Sequence, residues 1–198
     1  MSEVVNEPVR ASNLSRRAML RGMSVAAGAL VVGAATSGRA LAQMAKGAPA
    51  APHTGFGAMV AIAPDGVVSF TCPSSEMGQG TQETLARILA EELDCDWERL
   101  TILQPWADRA FNNPVMGKQM TASSATTTGY YMSLRKAGAA ARLMLIQAAA
   151  AQWAVAESDL IAQSGFVIHA ASQRRAGYGT FAAAASALVA PADPPLKP

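Results

Sequence analysis

The feature that most constrains the fold is an alanine-rich stretch in the second half of the chain, from about residue 128 to 155. It is dominated by Ala, Leu, Met and Gln, residues that favour the α-helix. Gly138 and its alanine neighbours would let this helix approach another element closely, while Arg135, Lys136 and Arg142 are expected to project away from that face. The stretch therefore predicts one long helix with a close-packing side.

The other apolar runs are short and are separated by turn residues, which predicts strands and two more helices. Pro64-Asp65-Gly66 and Ser164-Gly165 each separate two such runs, so two β-hairpins are expected. The predicted strands are 56–63, 67–72, 100–104, 160–163 and 166–170, and the predicted helices are 81–93, 128–155 and 178–188. This order, β-β-α-β-α-β-β-α, predicts an α/β or α+β fold with helices packed on a mixed or antiparallel sheet.

The N-terminus has the pattern of a twin-arginine export signal. Arg16 and Arg17 precede an uncharged stretch from 22 to 38, and Ala40-Leu41-Ala42 supplies the small residues for cleavage before Gln43. Because the stretch is short and contains several glycines, it is weakly hydrophobic for a membrane span, although an uncleaved anchoring helix is the alternative. We expect export to the periplasm in the folded state, a route used by proteins that load a cofactor in the cytoplasm.

Cleavage at that site would leave 156 residues, the length of a single domain. Residues 1–42 are then the signal peptide, and the Ala-, Pro- and Gly-rich residues 43–55, with the exposed His53, are a flexible tether. Residues 56–189 are the folded domain, and 190–198 form a linker-like tail.

Charge and cysteine usage exclude several functions. The signal contains five of the sixteen Lys and Arg and two of the fourteen acidic residues, so the remainder has no basic stripe and nucleic acid is not an expected partner. Cys72 and Cys95 lack the spacing of a metal site. A disulfide is chemically allowed outside the cytoplasm, but folding in the reducing cytoplasm favours two buried free thiols. Packing roles are expected for His169, Trp97, Trp106 and Trp153.

Two polar segments are the candidates for a binding site. The first, Glu76-Met77-Gly78-Gln79-Gly80-Thr81, lies between a strand and a helix, where glycines admit a ligand close to the backbone and free amides favour a phosphate. It fits neither the dinucleotide fingerprint nor the P-loop, and a plain glycine turn is the alternative. The second, residues 118–128, brings many hydroxyls to the start of the long helix, which suits a second phosphate or a polar cofactor, with local capping as the alternative.

The order of these segments resembles the molybdenum hydroxylase large subunits of the xanthine dehydrogenase and aldehyde oxidase type. The similarity is greatest to the exported branch of isoquinoline 1-oxidoreductase beta subunits and membrane-bound aldehyde dehydrogenases. The residues that carry it are Glu76 to Gly80, Leu89 to Trp97, Gln119 to Thr126, Lys136 to Arg142 and Ser172 to Tyr178.

The resemblance implies binding of a molybdenum-carrying molybdopterin, in the cytosine dinucleotide form. It assigns the cofactor contacts to seven residues: Gly78, Gln79, Gly80, Thr121, Ser123, Ser124 and Thr126. Implied partners are the rest of the large subunit or its split half, a small iron–sulfur subunit and a membrane cytochrome subunit, through which the protein would be attached to the inner membrane. The implied reaction is oxidation of an aldehyde or an N-heterocycle, with electrons passed to the iron–sulfur subunit.

The sequence departs from the family pattern in two places. The usual Thr-Gly-Gly-Ser is Thr121-Ala122-Ser123-Ser124 here, which puts the close backbone approach of paired glycines in doubt. The family's catalytic glutamate lies near the far C-terminus, in a region that this chain does not contain. We therefore assign no catalytic residue and no metal ligand, interpret Glu76 as a solvated or hydrogen-bonded loop acid, and expect an N-terminal piece of the subunit. The alternative is a non-catalytic exported scaffold or a truncated remnant.

Overall fold

The computed structural model describes residues 30–32 and 59–198. The described residues contain seven strands and three α-helices, in this order: β1 Leu30–Val32, β2 Val60–Ile62, β3 Val68–Thr71, α1 Thr81–Leu93, β4 Leu100–Leu103, α2 Ala125–Trp153, β5 Leu160–Gln163, β6 Phe166–His169, β7 Arg174–Gly177 and α3 Tyr178–Ser186. The predicted mixed α/β fold is confirmed. The predicted signal motif, cleavage site, tether and His53 lie outside the described residues.

The strands form two small sheets. The first has the order β1-β2-β3-β4, with β3 and β4 parallel because α1 crosses between them, and the other pairs antiparallel. The second is the antiparallel series β5-β6-β7. Both predicted hairpins are therefore present. Two strands were not predicted, since β7 lacks apolar alternation and β1 lies inside the stretch interpreted as the apolar part of the signal.

Close packing of α1 against α2 forms the centre of the domain. A Cβ on Gly138 would stand 2.6 Å from the carbonyl oxygen of Leu89, so the glycine permits a contact that alanine would block. The predicted close-packing side is confirmed, but the predicted direction of two arginines is wrong. Arg135 and Arg142 lie three positions before and four after Gly138, hence on the same helix face, and both approach the buried carboxylate of Glu92 in α1.

The third helix closes the core against both the first helix and the first hairpin. The buried Tyr178 hydroxyl donates a hydrogen bond to the carbonyl oxygen of Leu93, with an oxygen–oxygen distance of 2.8 Å. Gly179 sits so close to the turn at Pro64 that a Cβ would lie 2.1 Å from the Pro64 carbonyl oxygen. The first turn of α3 is thereby fixed to the end of α1 and to the β2–β3 turn.

The C-terminal tail is extended and lies over the α1–α2 pair. The Lys197 amide donates to Glu92 Oε2 at 3.1 Å, and its Nζ lies 2.7 Å from Asp94. Arg142 donates to the carbonyl oxygen of Pro195 at 3.1 Å, while Lys136 pairs with Asp193 at 2.8 Å. These contacts attach the tail to the domain at several points.

The expected packing roles hold for most, but not all, of the aromatic and cysteine residues. Trp153 packs edge-on against Phe181, with ring centroids 5.3 Å apart. The prediction for Trp106 is wrong, because its side chain is 94% exposed. Cys72 and Cys95 are free thiols, as predicted, and burial raises the pKa of Cys95 to about 12.

His169 is buried, and its Nδ1 lies 2.6 Å from the Ser172 hydroxyl. Trp97 packs partly buried against the core. Both agree with the packing roles expected for them. Within the described residues, no helix has the length and apolar character needed to cross a bilayer.

Candidate functional site

The first predicted segment forms the loop between β3 and α1. Gly78 and Gly80 have φ angles of +90° and +77°, a left-handed conformation that glycine adopts at little cost. Gly80 also precedes the first residue of α1 and takes the capping position without a side-chain cap. The two glycines are therefore needed for the backbone path of this loop.

The carboxylate of Glu76 closes the loop from within. Its Oε1 accepts hydrogen bonds from the amides of Gly78 at 2.7 Å and Gly80 at 2.9 Å, and Oε2 accepts from the amide of Gln82 at 3.1 Å. These backbone bonds hold the pKa of Glu76 below its ordinary value. The interpretation of Glu76 as a hydrogen-bonded loop acid is confirmed. The amides at the start of α1, which sequence reasoning offered to a phosphate, already bind a protein carboxylate.

Gln79 is also engaged within the loop. Its Nε2 donates to the Ser75 carbonyl oxygen at 3.0 Å and lies 2.9 Å from the Thr81 hydroxyl, while its Oε1 accepts from the Met77 amide at 2.6 Å. The side chain thus braces the turn that it belongs to. Sequence reasoning proposed it as the first cofactor contact; in the structure its amide group is bonded to protein on both sides.

The second loop, between β4 and α2, is anchored by the buried side chain of Asn113. Its Nδ2 donates to the carbonyl oxygen of Ala125 at 2.8 Å, and its Oδ1 accepts from the amides of Val115 and Met116 at 2.9 and 3.2 Å. A Cβ on Gly129 would stand 2.3 Å from Asn113 Oδ1, so that glycine makes room for the asparagine. The long loop is consequently fixed to the first turn of α2.

The structure brings the two predicted segments into contact. The Ser75 amide donates to the Thr121 hydroxyl at 3.0 Å, and that hydroxyl lies 3.3 Å from the Ser75 carbonyl oxygen, which also accepts from Gln79. Gln119 Nε2 adds a bond of 3.1 Å to the carbonyl oxygen of Pro73. Gln79 and Thr121, 42 positions apart in sequence, therefore meet at one carbonyl group.

A cleft of about 340 Å³ lies beside this contact. Polar and apolar residues contribute about equally to its lining, which comes from both loops and from the end of β4: Pro73, Ser75, Gln104, Pro105, Ala107, Gln119, Met120 and Thr121. Sequence reasoning missed Gln104 and did not select Gln119, although Gln119 is two positions from Thr121, the spacing that puts two side chains on one side of an extended segment. We take this cleft as the candidate site.

The remaining predicted residues lie where the second loop enters α2. Ser123 and Ser124 are exposed and have φ angles of +56° and +51°, which is uncommon for residues with a Cβ. Ser123 occupies the second glycine position of the Thr-Gly-Gly-Ser pattern, so a left-handed residue is retained there without the glycine. Thr126 is buried in the first turn of α2. Of the seven predicted residues, Thr121 is the one that lines the cleft.

Comparison with known proteins decides the family. A model of the molybdopterin cofactor-binding domain matches residues 3–197 of the chain. The chain belongs to this family. The resemblance to molybdenum hydroxylase large subunits that was inferred from the sequence motifs is thereby confirmed.

The proteins to which this chain is similar are much longer than it is. Isoquinoline 1-oxidoreductase subunit beta from Brevundimonas diminuta is 46% identical over 126 residues, 63% of this chain and 16% of that protein. A membrane-bound aldehyde dehydrogenase [pyrroloquinoline-quinone] from Gluconacetobacter polyoxogenes is 33% identical over 86 residues, 43% of this chain and 10% of that protein. The structure of quinoline 2-oxidoreductase from Pseudomonas putida 86 matches 85% of this chain and 21% of its own, with a TM-score of 0.48 and 21% identity.

The residues around the cleft suit the polar cofactor of a molybdopterin domain. The Ser74 hydroxyl, at the base of the first loop, is buried and has no hydrogen-bond partner among the described residues. A Cβ placed on Gly78 or Gly80 would meet open space. Apart from the two chain neighbours of each glycine, no atom of the described residues would lie within 4 Å of it. An unsatisfied hydroxyl, open space above two glycines and the remaining N–H groups of Gln104 and Gln119 together supply room and hydrogen-bonding groups for a polar ligand. The oxygens of these two glutamines already accept from the Gln82 side chain and the Asp108 amide.

Proposed function

We propose that this chain is the N-terminal, molybdopterin-dinucleotide-binding part of an exported molybdenum hydroxylase large subunit. The observation that supports this best is the meeting of the two cofactor segments at the Ser75 carbonyl oxygen, which Gln79 and Thr121 share. The proposed reaction is oxidation of an aldehyde or an N-heterocycle, with electrons passed to an iron–sulfur subunit. Family membership supports the cofactor class, and the first relative, named as a beta subunit, supports a multi-subunit enzyme.

In this proposal the residues of the chain bind and orient the cofactor. When bound, the molybdenum cofactor supplies the oxygen-transfer and redox chemistry. The cleft side chains Gln104, Gln119 and Thr121 would donate or accept hydrogen bonds at its polar rim, and the exposed hydroxyls of Ser123 and Ser124 would bind the dinucleotide portion. Gly78 and Gly80 would admit the cofactor close to the backbone because no side chain projects from them.

Exposed apolar side chains on the site loops support completion of the site by another part of the assembly. Met77 is 72% exposed in the first loop, and Trp106, between two cleft-lining residues, is nearly fully exposed. Covering such side chains would remove apolar surface from water, which favours association with another part of the assembly. We propose that the remainder of the large subunit covers them.

The cofactor proposal is tested by producing the chain together with its neighbouring gene products in a host that makes the cofactor. Molybdenum and pterin per chain should approach one. A Gln79→Ala variant should lose most of the cofactor, because the side-chain hydrogen bond to the Ser75 carbonyl oxygen is lost. Gln152→Ala, an exposed change at the far end of α2, should retain the cofactor. Metal-free wild-type protein from such a host would reject the proposal, and full cofactor content in Gln79→Ala would remove Gln79 from the site.

Export by the twin-arginine route to the periplasm is the second part of the proposal. It is supported by Arg16 and Arg17 and by the small residues before Gln43. Replacing both arginines by lysine should leave the protein in the cytoplasm with its cofactor loaded, and cell fractionation would measure this. Periplasmic accumulation of the lysine variant would contradict it. Cleavage before Gln43 would also remove β1 from the edge of β2.

A further inference from the structure

We infer that Glu76 is a positioning residue for the cofactor. Its carboxylate sets the shape of the first loop, which contains Gly78-Gln79-Gly80, and through Gln79 it sets the position of the cleft wall. The inference rests on the proposed function and deepens it. It assigns Glu76 no contact with cofactor or substrate. Its role is to hold other groups in place.

The hydrogen bonds inside the loop converge on Glu76. Its carboxylate accepts hydrogen bonds from the amides of Gly78, Gly80 and Gln82, which lie on both sides of Gln79 in the sequence. Two of these residues are left-handed glycines, the residues with the most backbone freedom to lose. A loop with such freedom needs a fixed internal partner to hold one shape, and charge-assisted bonds to a carboxylate are about twice as strong as neutral ones.

Gln79 connects this loop to the cleft. With its backbone held on both sides, Gln79 spans from the Met77 amide to the Ser75 carbonyl oxygen, at 2.6 and 3.0 Å. Ser75 lines the cleft and bonds through both its amide and its carbonyl group to Thr121, which lines the cleft as well. Glu76 therefore acts on Thr121 through two intermediates, Gln79 and Ser75.

The same carboxylate also limits where the anionic part of the cofactor can bind. The carboxylate of Glu76 already occupies the amides at the start of α1, where the helix dipole favours negative charge. A phosphate placed there would meet a like charge. The first loop is thus left to shape the cleft, and the hydroxyl-rich entry to α2 is left to bind phosphate.

The experiment compares Glu76→Gln with Glu83→Gln in the assembled, cofactor-loaded protein. Glu83 is a matched control, because it lies in the first turn of the same helix and its carboxylate is exposed and paired with Arg87. Pterin release after dilution should be about tenfold faster in Glu76→Gln, because the loop that shapes the cleft wall is then held by neutral instead of charge-assisted hydrogen bonds. It should be unchanged in Glu83→Gln.

The pH profile of release separates positioning from a general effect on stability. In the wild type, release should accelerate as the pH falls and Glu76 becomes protonated, whereas the Glu76→Gln profile should be flat over the same range. Cys72, the titratable group coupled to Glu76 through space, does not contribute there because burial raises its pKa. Equal release rates in the two variants, or parallel pH profiles in wild type and Glu76→Gln, would overturn the inference.

A third readout needs no cofactor. Amide hydrogen exchange at Gly78, Gly80 and Gln82 should be faster in Glu76→Gln than in Glu83→Gln in the apo chain. Unchanged exchange at these amides would reject Glu76 as the residue that shapes the loop. If wild-type protein contains no pterin at all, the proposed function fails, and the exchange measurement still decides the role of Glu76 in the loop.

Discussion

At the scale of single residues, Ser123 shows how a departure from a family pattern can be measured. Its φ angle of +56° is a conformation that costs a residue with a Cβ about 1 kcal/mol relative to glycine. Ser123→Gly should therefore raise the free energy of unfolding by up to about 1 kcal/mol, measured by thermal or chemical denaturation. Thr127→Gly, on the exposed side of α2, should lower it by a similar amount. A loss of stability in Ser123→Gly would show that its hydroxyl outweighs the backbone strain.

Glu76 also predicts a pH dependence of stability. Because its pKa is lowered in the folded state, its contribution is complete above the ordinary glutamate value of about 4.3 and is lost as the pH falls through the folded value. The difference in unfolding free energy between wild type and Glu76→Gln should shrink as the pH falls from 7 to 3. Urea denaturation across this range would measure it, with Glu83→Gln following the wild type. A constant difference would contradict the prediction.

The site residues that could be predicted from the sequence were those whose amino-acid type indicates a particular backbone conformation. Glycines and turn residues located the first loop, and the cluster of hydroxyls located the second. The hydrogen-bond partners of those residues could not be predicted from the sequence, because bonds such as that between Ser75 and Thr121 join positions that are 46 residues apart. Trp106 was misjudged for a related reason: its type favours burial, but its exposure depends on what covers the loop.

At the scale of elements, the second loop depends on one of two adjacent asparagines. Asn113 is buried and bonds to Ala125, Val115 and Met116, while Asn112 makes a more exposed bond to Gly117. Asn113→Ala should cost about 2–3 kcal/mol, because it leaves buried backbone groups unpaired. Asn112→Ala should cost about 1 kcal/mol or less. Chemical denaturation would measure both, and equal effects would contradict the assignment of Asn113 as the anchor.

The α1–α2 contact predicts a second element-scale effect. In Gly138→Ala the new Cβ would stand 2.6 Å from the Leu89 carbonyl oxygen and 2.9 Å from Glu92 Cβ, so the helices must separate. Overpacking of this kind costs about 1–3 kcal/mol. Thr127→Ala, at an exposed position of the same helix, should leave stability unchanged or raise it. A Gly138→Ala variant as stable as wild type would show that the helix pair can adjust.

Helix positions were predictable because their signals are local and repeated. The prediction for α1, 81–93, agrees with the structure at both ends, and α2 begins three residues earlier than expected and ends at Trp153. The side of α2 that packs against α1 was harder to predict. Arginine side chains usually point to solvent, but Arg135 and Arg142 lie on the same side of the helix as Gly138. Their partner, Glu92, lies on another helix and reverses the usual expectation for charged residues.

At the scale of the whole molecule, the domain is held together by links between distant parts of the chain. Tyr178 joins α3 to the end of α1, and Ser75 joins the two site loops. Many of these contacts involve α1. This helix begins at the first loop and has Glu92 and Leu93 at its C-terminal end. The shape of the cleft and the position of the tail therefore both depend on the placement of this one helix.

The tail contact gives the clearest test of that dependence. Glu92 is only 1% exposed and bonds to Arg135 at 2.6 Å and to the Lys197 amide at 3.1 Å, whereas the adjacent Glu91 is 79% exposed and 3.7 Å from Lys197 Nζ. Breaking a buried ion pair by removing one partner costs about 3–5 kcal/mol, and breaking an exposed one about 0–1 kcal/mol.

Glu92→Gln should therefore lower the free energy of unfolding strongly and make the tail a protease target, while Glu91→Gln should do neither. Denaturation and limited proteolysis would measure the two effects. If Glu92→Gln destabilised the domain but left the tail protected, the contacts of Arg142 with Pro195 and of Lys136 with Asp193 would be sufficient to hold the tail, and Glu92 would serve only the α1–α2 pair.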